Sequence, residues 1–295
     1  MDIRVLRYFL AVVREENISK AAEALHVTQP TLSRQMAQLE EELGVQLFVR
    51  GKRLTLTDAG VMLRRRAEEV SQLMEKLEGE FQEWDNVAGT ISIGSGGLYS
   101  ATLLPAILED FRRKYPRVQY EFYTNSADNI KERLDRGLLD FGLLLEPIDI
   151  GKYDYIRMKE KERWGVLMRA ADPLAKKAYV TAEDIRPLPL ITTNRLSLQK
   201  EITNWLGVGL DQLNIFATYN IITNVAMLVD SGTAYALTIE GAVSLFEGTR
   251  MTFRPLYPEL SMTSVLAWKK FNPVFGAAGK FLEYFKTIHS GHTNI

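Results

Sequence analysis

The 295-residue chain contains no cysteine, which excludes a disulfide framework, thiolate catalysis and cysteine-held zinc. Histidine is nearly as scarce. Of the three, His26 falls in a short turn near the N-terminus, while His289 and His292 lie in the last stretch. Histidine-based nucleophilic catalysis therefore has no components in the body of the chain. No apolar run approaches a membrane span, and Met1-Asp2-Ile3-Arg4-Val5 leads into an amphipathic pattern instead of the apolar core of a secretory leader. A cytoplasmic location without membrane contact is expected. Charge of one sign is also lacking: 36 Lys and Arg face 37 Asp and Glu, for a formal net charge of −1. A bulk basic footprint for nucleic acid is thus missing. Paired carboxylates such as Glu160 and Glu162 have no partner signature and read as solvated charges. Neither a metal nor a cofactor is expected, and the chain is not read as an enzyme. What remains, 46% hydrophobic and 25% charged residues, is the composition of ordinary globular domains, at a length suited to two or three of them.

The densest information lies between Ser19 and Gln35. Ala21, Ala22 and Leu25 give a short helix a small inner face, with Ser19 placed to cap its start. Thr28-Gln29-Pro30 opens a second helix, because proline is tolerated where its missing donor is not needed. From there Leu32, Met36, Leu39 and Leu43 fall at i, i+4, i+7 and i+11, one buried stripe. Thr31, Ser33, Arg34, Gln35 and Gln38 are left facing out. Such a face suits the DNA major groove, where arginine pairs with guanine and glutamine with adenine. An ordinary helical hairpin with a solvated polar face is the alternative. Next, Leu47-Phe48-Val49 and Leu54-Thr55-Leu56 flank Arg50-Gly51-Lys52-Arg53, the pattern of a hairpin with a basic tip. Val5, Leu6, Phe9, Leu10 and Val13 supply a first helix behind the pair. Residues 1–60 hold eight basic and eight acidic side chains. Arg34 and the tip are expected to share a face, with Glu40-Glu41-Glu42 at the far end of the second helix.

Between Asp58 and Asn86, Leu63, Ala67, Val70, Met74, Leu77, Phe81 and Trp84 alternate by four and three residues. That is an a/d heptad seam, which favours pairing with a second helix over burial on the same chain. Arg64-Arg65-Arg66 flank it as a charged face. After Gly89 the pattern changes to alternating strands and helices. Strands are expected at Thr90–Gly94, Val118–Tyr123, Asp140–Leu145, Trp164–Met168, Pro189–Thr192, Ala234–Leu237 and Ser264–Trp268. Helices are expected at about 100–114, 128–136, 198–206, 223–231 and 275–288. The βαβαβ opening implies a parallel sheet with helices on both faces. Gly94-Ser95-Gly96-Gly97-Leu98-Tyr99 has Tyr99 where a dinucleotide fingerprint needs its third glycine, so a nucleotide site is rejected. Instead, Ser100 and Thr102 fall at a helix start, where free N–H groups favour an anion. Ser126, Thr192-Thr193-Asn194 and Asn220 to Asn224 repeat that placement, and either a polar ligand or plain helix capping accounts for them.

The first sixty residues resemble the LysR-type transcriptional regulator family. The matching runs are Leu6-Arg7-Tyr8-Phe9, Ser19-Lys20-Ala21-Ala22, Gln29 to Gln35, Leu39 to Gly44, Leu47-Phe48-Val49-Arg50 and Leu56-Thr57-Asp58-Ala59-Gly60. The resemblance implies an all-α winged helix-turn-helix head (residues 1–58) and a linker and dimerisation helix (59–89). An α/β effector-binding domain of two lobes, similar to periplasmic binding proteins, would follow (90–295). Lobe I would take 90–162 and 266–295, and lobe II 163–265. DNA contacts would come from Ser19, Lys20, Thr28, Gln29, Pro30, Thr31, Ser33, Arg34, Gln35, Arg50, Lys52 and Arg53. Effector contacts would come from Gly97, Leu98, Tyr99, Ser100, Thr102, Ser126, Glu146, Thr192, Thr193, Asn194, Asn220, Ile222 and Thr223. Glu146 and Tyr99 are placed where the cleft opens, and a carboxylate there would oppose an anionic ligand. The partners implied are double-stranded operator DNA, a small-molecule effector not yet identified, a second copy as homodimer and then homotetramer, and RNA polymerase. Two alternatives stay open: an architectural DNA-binding protein without a ligand, and a catalytic α/β domain fused to a DNA-binding head.

Overall fold

The computed structural model describes residues 2–49, 54–82, 87–246, 250–270 and 274–289. It divides into two compact units, Met1–Gln82 and Glu83–Ile295.

The first unit comprises α1 (Ile3–Glu15), α2 (Ile18–Ala24), α3 (Gln29–Leu43), β1 (Phe48–Val49), β2 (Thr55–Leu56) and α4 (Asp58–Gln82). Side-chain caps set the helix starts. The Asp2 carboxylate accepts from the Arg4 N–H at 3.0 Å, and the Thr28 hydroxyl accepts from the Thr31 N–H at 3.4 Å. Asn17, not Ser19, caps α2, accepting from the Lys20 N–H at 3.1 Å. The helix begins one residue before Ser19, which leaves that serine in its first turn. Gly44 ends α3 in the left-handed region at φ +67°, where a side chain is disfavoured.

Leu32, Met36 and Leu39 are buried with Phe9, Val12, Ala21 and Ala22 in one core. Burying each large apolar side chain is worth roughly 1.5–3 kcal/mol. Leu43, the fourth member of the expected stripe, is 39% exposed, because the last turn of α3 outruns that core. The inward position there belongs to Glu40, which is buried and not a solvated member of an acidic end. Its Oε1 accepts from the backbone N–H groups of Leu47 at 2.7 Å and Phe48 at 3.2 Å. Those donors make a buried carboxylate tolerable, and they fasten the base of the β1–β2 hairpin to α3. The Phe48 ring also packs on Phe9 at 5.4 Å between centroids.

Helix α4 departs from a simple seam. Ala67 is buried in the core of its own unit, with Leu63 packed against it, whereas Val70, Leu73 and Leu77 are exposed. An ion pair of 3.5 Å joins Arg7 of α1 to Glu78 of α4. Arg64 and Arg66 pair with Glu68 and Glu69 on the helix surface, both at 2.9 Å. The side chains of Phe81 and Trp84 lie outside the described residues, as does the Arg50–Arg53 tip.

The second unit starts with β3 (Gly89–Ser95), a 3-10 turn (Tyr99–Leu103), α5 (Leu104–Lys114), β4 (Val118–Thr124), α6 (Ala127–Asp135) and β5 (Phe141–Leu145). The expected helix at 100–114 thus begins as the tighter 3-10 form. There follow β6 (Tyr153–Arg169), α7 (Ala182–Ile185), β7 (Leu190–Thr193), α8 (Leu196–Leu206), β8 (Ile215–Tyr219) and α9 (Thr223–Asp230). The chain then forms β9 (Tyr235–Ile239), α10 (Glu240–Val243), β10 (Met251–Pro255), β11 (Ser261–Lys269) and α11 (Gly276–His289). The strand order is β4-β3-β5-β11-β6-β9-β7-β8, with β10 also on β6. In the first lobe β3 runs parallel to β4 and β5, and β11 runs antiparallel to β5 and to the Tyr153–Arg163 part of β6. In the second, β6 from Trp164 onward pairs antiparallel with β9 and, over Gly165–Arg169, with β10, while β7 is parallel to β8 and β9.

One strand therefore serves both lobes. The sequence suggested a start at Trp164 because Lys159, Glu160, Lys161 and Arg163 disguise the preceding half as polar. Strands β8 and β10 were not foreseen at all. The first lobe's core holds Phe111, Phe141, Phe281 and Phe285, fully buried, with Phe111 and Phe281 edge to face at 5.3 Å.

Candidate functional site

On the head, Ser19, Lys20, Thr28, Gln29, Pro30, Thr31 and Arg34 are exposed, and Ser33 and Gln35 are half-buried. The turn between α2 and α3 is closed by backbone hydrogen bonds from His26 to Glu23 and from Val27 to Ala22. Thr28 and Thr31 hold each other through their hydroxyls at 2.8 Å, so the start of α3 is rigid. These groups ride on a helix whose other face is locked in the core by Leu32, Met36 and Leu39, which fixes their spacing along the helix.

In the second unit a cavity of about 450 Å³ opens between the lobes. Of the thirteen residues expected to touch a ligand, Gly97, Leu98, Thr102, Ser126, Thr193, Asn194, Asn220, Ile222 and Thr223 line it. They come from the turn after β3, the start of α6, the loop after β7 and the start of α9. Those are the carboxyl ends of β3, β4, β7 and β8, where open α/β sheets bind ligands. Asn125, Arg195, Tyr219 and Thr238 also line the cavity and went unassigned by sequence. Asn125 and Arg195 adjoin expected positions, so the strand-to-helix placement that found Ser126 and Asn194 reaches them too. Tyr219 and Thr238 point in from strands, and no helix-start signal marks them. Burial pushes the Tyr219 phenol up to about 12, so it stays protonated and donates to the Leu237 carbonyl at 2.9 Å.

The other four expected residues do something else. Tyr99 and Ser100 offer their N–H groups not to a ligand but to Glu162, at 2.7 Å and 3.0 Å. Glu162 is completely buried, contrary to its reading as a solvated charge, and the Ser264 hydroxyl donates to it at 3.3 Å and to Ser100 Oγ at 2.8 Å. The anion expected at this turn is therefore the protein's own carboxylate. Gly241 makes the packing around it possible, since a Cβ there would sit 1.9 Å from the Tyr99 nitrogen. Glu146 is turned onto Arg157, whose Nε and Nη2 donate at 3.0 Å each, and it also accepts from Thr263. Burial works against the charged Glu146, yet the Arg157 and Thr263 hydrogen bonds hold its carboxyl below the usual range. It is absent from the cavity lining and does not oppose an anion there. Thr192, within β7, is fully buried and outside the cavity lining, its hydroxyl without a hydrogen-bond partner.

A helix-turn-helix head with a hairpin, joined in one chain to a two-lobe α/β unit with an interlobe cavity, is the architecture of a ligand-responsive DNA-binding regulator. The bacterial regulatory helix-turn-helix protein model of the lysR family matches residues 3–61, and the LysR substrate binding domain matches residues 85–288. The chain belongs to the LysR family of transcriptional regulators. It is 30% identical to the Hca operon transcriptional activator HcaR of Escherichia coli (strain K12), covering 92% of each chain. It is also 30% identical to the HTH-type transcriptional regulator AlsR of Bacillus subtilis (strain 168), covering 98% of this chain and 92% of that one. Among solved structures, CbnR, a LysR family transcriptional regulator, superposes with a TM-score of 0.78 at 20% identity over 98% of this chain and 99% of that one. CbnR complexed with its target DNA gives 0.76 at the same identity, over 97% and 99%.

Proposed function

We propose that this regulator reads a two-fold-related operator through Gln29, Pro30, Thr31, Ser33 and Arg34, with Ser19, Lys20, Thr28 and Gln35 beside them. The Arg50, Lys52 and Arg53 tip would grip the DNA backbone. The single observation that carries this reading is the exposed polar face of α3, held rigid by its cap and its core. Residues 1–58 then act as the head, 59–89 as linker and 90–295 as effector domain, with the interlobe cavity as the effector site. Occupancy would shift the balance between two assembly states by differential affinity. Dimerisation would use the exposed part of α4, around Val70, Leu73 and Leu77, instead of a seam through Ala67. A homotetramer, contact with RNA polymerase and a cytoplasmic location complete the reading.

Fluorescence anisotropy of the full-length protein tests it. DNA from immediately upstream of its own gene is compared with scrambled DNA over a salt series. Preference of about 10³ or more for the upstream DNA is expected. Equal, weak and salt-sensitive binding to both would favour an architectural DNA-binding protein instead.

A further inference from the structure

Arg195 precedes α8, and its guanidinium reaches across the cleft. Its Nη2 donates to the carbonyls of Leu145, at 2.8 Å, and Pro147, both at the end of β5 in the other lobe. Nε and Nη1 make no hydrogen bond, and the side chain joins no ion pair among the described residues. Partial burial pulls the group below its ordinary pKa while Asp128 pulls the other way, and a guanidinium remains charged throughout. The side chain lines both the inner cavity and an outer hollow of about 670 Å³ beyond Asp128 and Pro147.

Among the described residues, Arg195 is the one cationic side chain in the lining, and four backbone amides near it are already engaged. The Tyr99 and Ser100 amides hold Glu162, the Ser126 amide holds Asn125 Oδ1, and the Ile221 amide holds Asn220 Oδ1. Asp128 is the one other charged lining residue. It is exposed in the first turn of α6, where the helix N-terminus favours its charge. Leu98, Leu143, Leu198, Ile222 and Ile239 give the cavity an apolar share of its lining, beside hydroxyl and amide groups such as Ser126, Thr193 and Asn220.

We propose that Arg195 receives the carboxylate of a singly charged organic acid whose apolar body fills the inner cavity. This rests on the cavity being the effector site. A charge-assisted hydrogen bond from Nε or Nη1 anchors the acid, while Nη2 keeps its hold on Leu145 and Pro147. The ligand thereby joins a contact that already spans both lobes.

Thermal shift of the full-length protein tests this with a panel of aliphatic and aromatic monocarboxylates, their matched carboxamides, and phenylalanine as a zwitterion. Carboxylates are expected to raise Tm and their carboxamides not. Arg195→Gln should weaken the apparent affinity by about tenfold or more, and Arg195→Lys should regain part of it. Tryptophan fluorescence establishes that each variant is folded. A stronger response to carboxamides or to phenylalanine, no response to any carboxylate, or an unchanged response in Arg195→Gln would overturn the proposal. Ser126→Trp, which fills the cavity, separates the two failures. Carboxylates that stabilise it as well as the unaltered protein would overturn the cavity reading itself. Carboxamides that stabilise the unaltered protein but not Ser126→Trp would overturn only the role of Arg195.

Discussion

Each unit of the molecule fastens its functional surface with a buried glutamate, and the two do it differently. Glu40 uses one oxygen to accept from two consecutive amides only seven and eight residues away. It couples a helix to the adjoining hairpin within one small core. Glu162 uses both oxygens and gathers donors from Tyr99, Ser100 and Ser264, positions as far as 102 residues away. It sits where β6 passes from one lobe to the other, one residue before Arg163, which pairs with Glu240 at 2.8 Å. A carboxylate serving neighbours in sequence fixes a local shape, whereas one collecting distant donors fixes how segments of a domain assemble.

The largest effect should come from Glu162→Ala, which removes the acceptor of the Tyr99 and Ser100 amides. Roughly 3 kcal/mol of stability should be lost. Urea unfolding followed by tryptophan fluorescence measures it, because all four tryptophans lie beyond residue 82. Glu40→Ala should cost roughly 2 kcal/mol in the head, with weaker operator binding and an unchanged tryptophan midpoint. A shifted midpoint would break the comparison, since the two units would then unfold as one. Glu146 sharpens it as an intermediate case. Its folded pKa is lowered, so its contribution is complete above the ordinary value of 4.5 and fades as pH falls through the folded value. In Glu146→Gln the tryptophan midpoint should therefore fall less steeply on acidification. An identical acid limb in both proteins would mean that the Arg157 pair adds nothing. Least affected should be Glu68→Gln, whose exposed pairing with Arg64 is worth about 0.5 kcal/mol or less. Any larger loss, read in head unfolding by circular dichroism, would show that exposure is the wrong measure of a carboxylate's worth here.

The same contrast explains what the sequence could tell. Head elements were legible because their determinants are local: the Thr28-Gln29-Pro30 helix opening and a stripe at Leu32, Met36 and Leu39, although the cap of α2 proved to be Asn17 and not Ser19. The opening βαβαβ was legible because β3 alternates around Ile91 and Ile93 and β5 is an apolar run. Glu40 was not, since a glutamate within Leu39-Glu40-Glu41-Glu42 carries no mark of its burial until the hairpin folds back. Glu162 was hidden for the same reason at longer range, as were the true roles of Tyr99 and Ser100. Nine of the expected cavity residues follow strand ends, where small polar residues before helices show in the sequence and the family resemblance points to the same places. Arg195 also sits at a helix start, but its reach across the cleft was not legible, because its partners are backbone carbonyls about fifty residues upstream.

Strand β6 has a mechanical consequence. Its 17 residues span roughly 55 Å, and an extended chain cannot lengthen. Pairing with β11 also blocks sliding along Arg157–Arg163, apart from the irregularity between Thr263 and Val265. Stretch and shear are both stiff, so torsion about the strand is the compliant coordinate left to the lobes. A molecule gripping the cleft from both sides would act as a torque on a shaft, and its effect would be measured in degrees of twist.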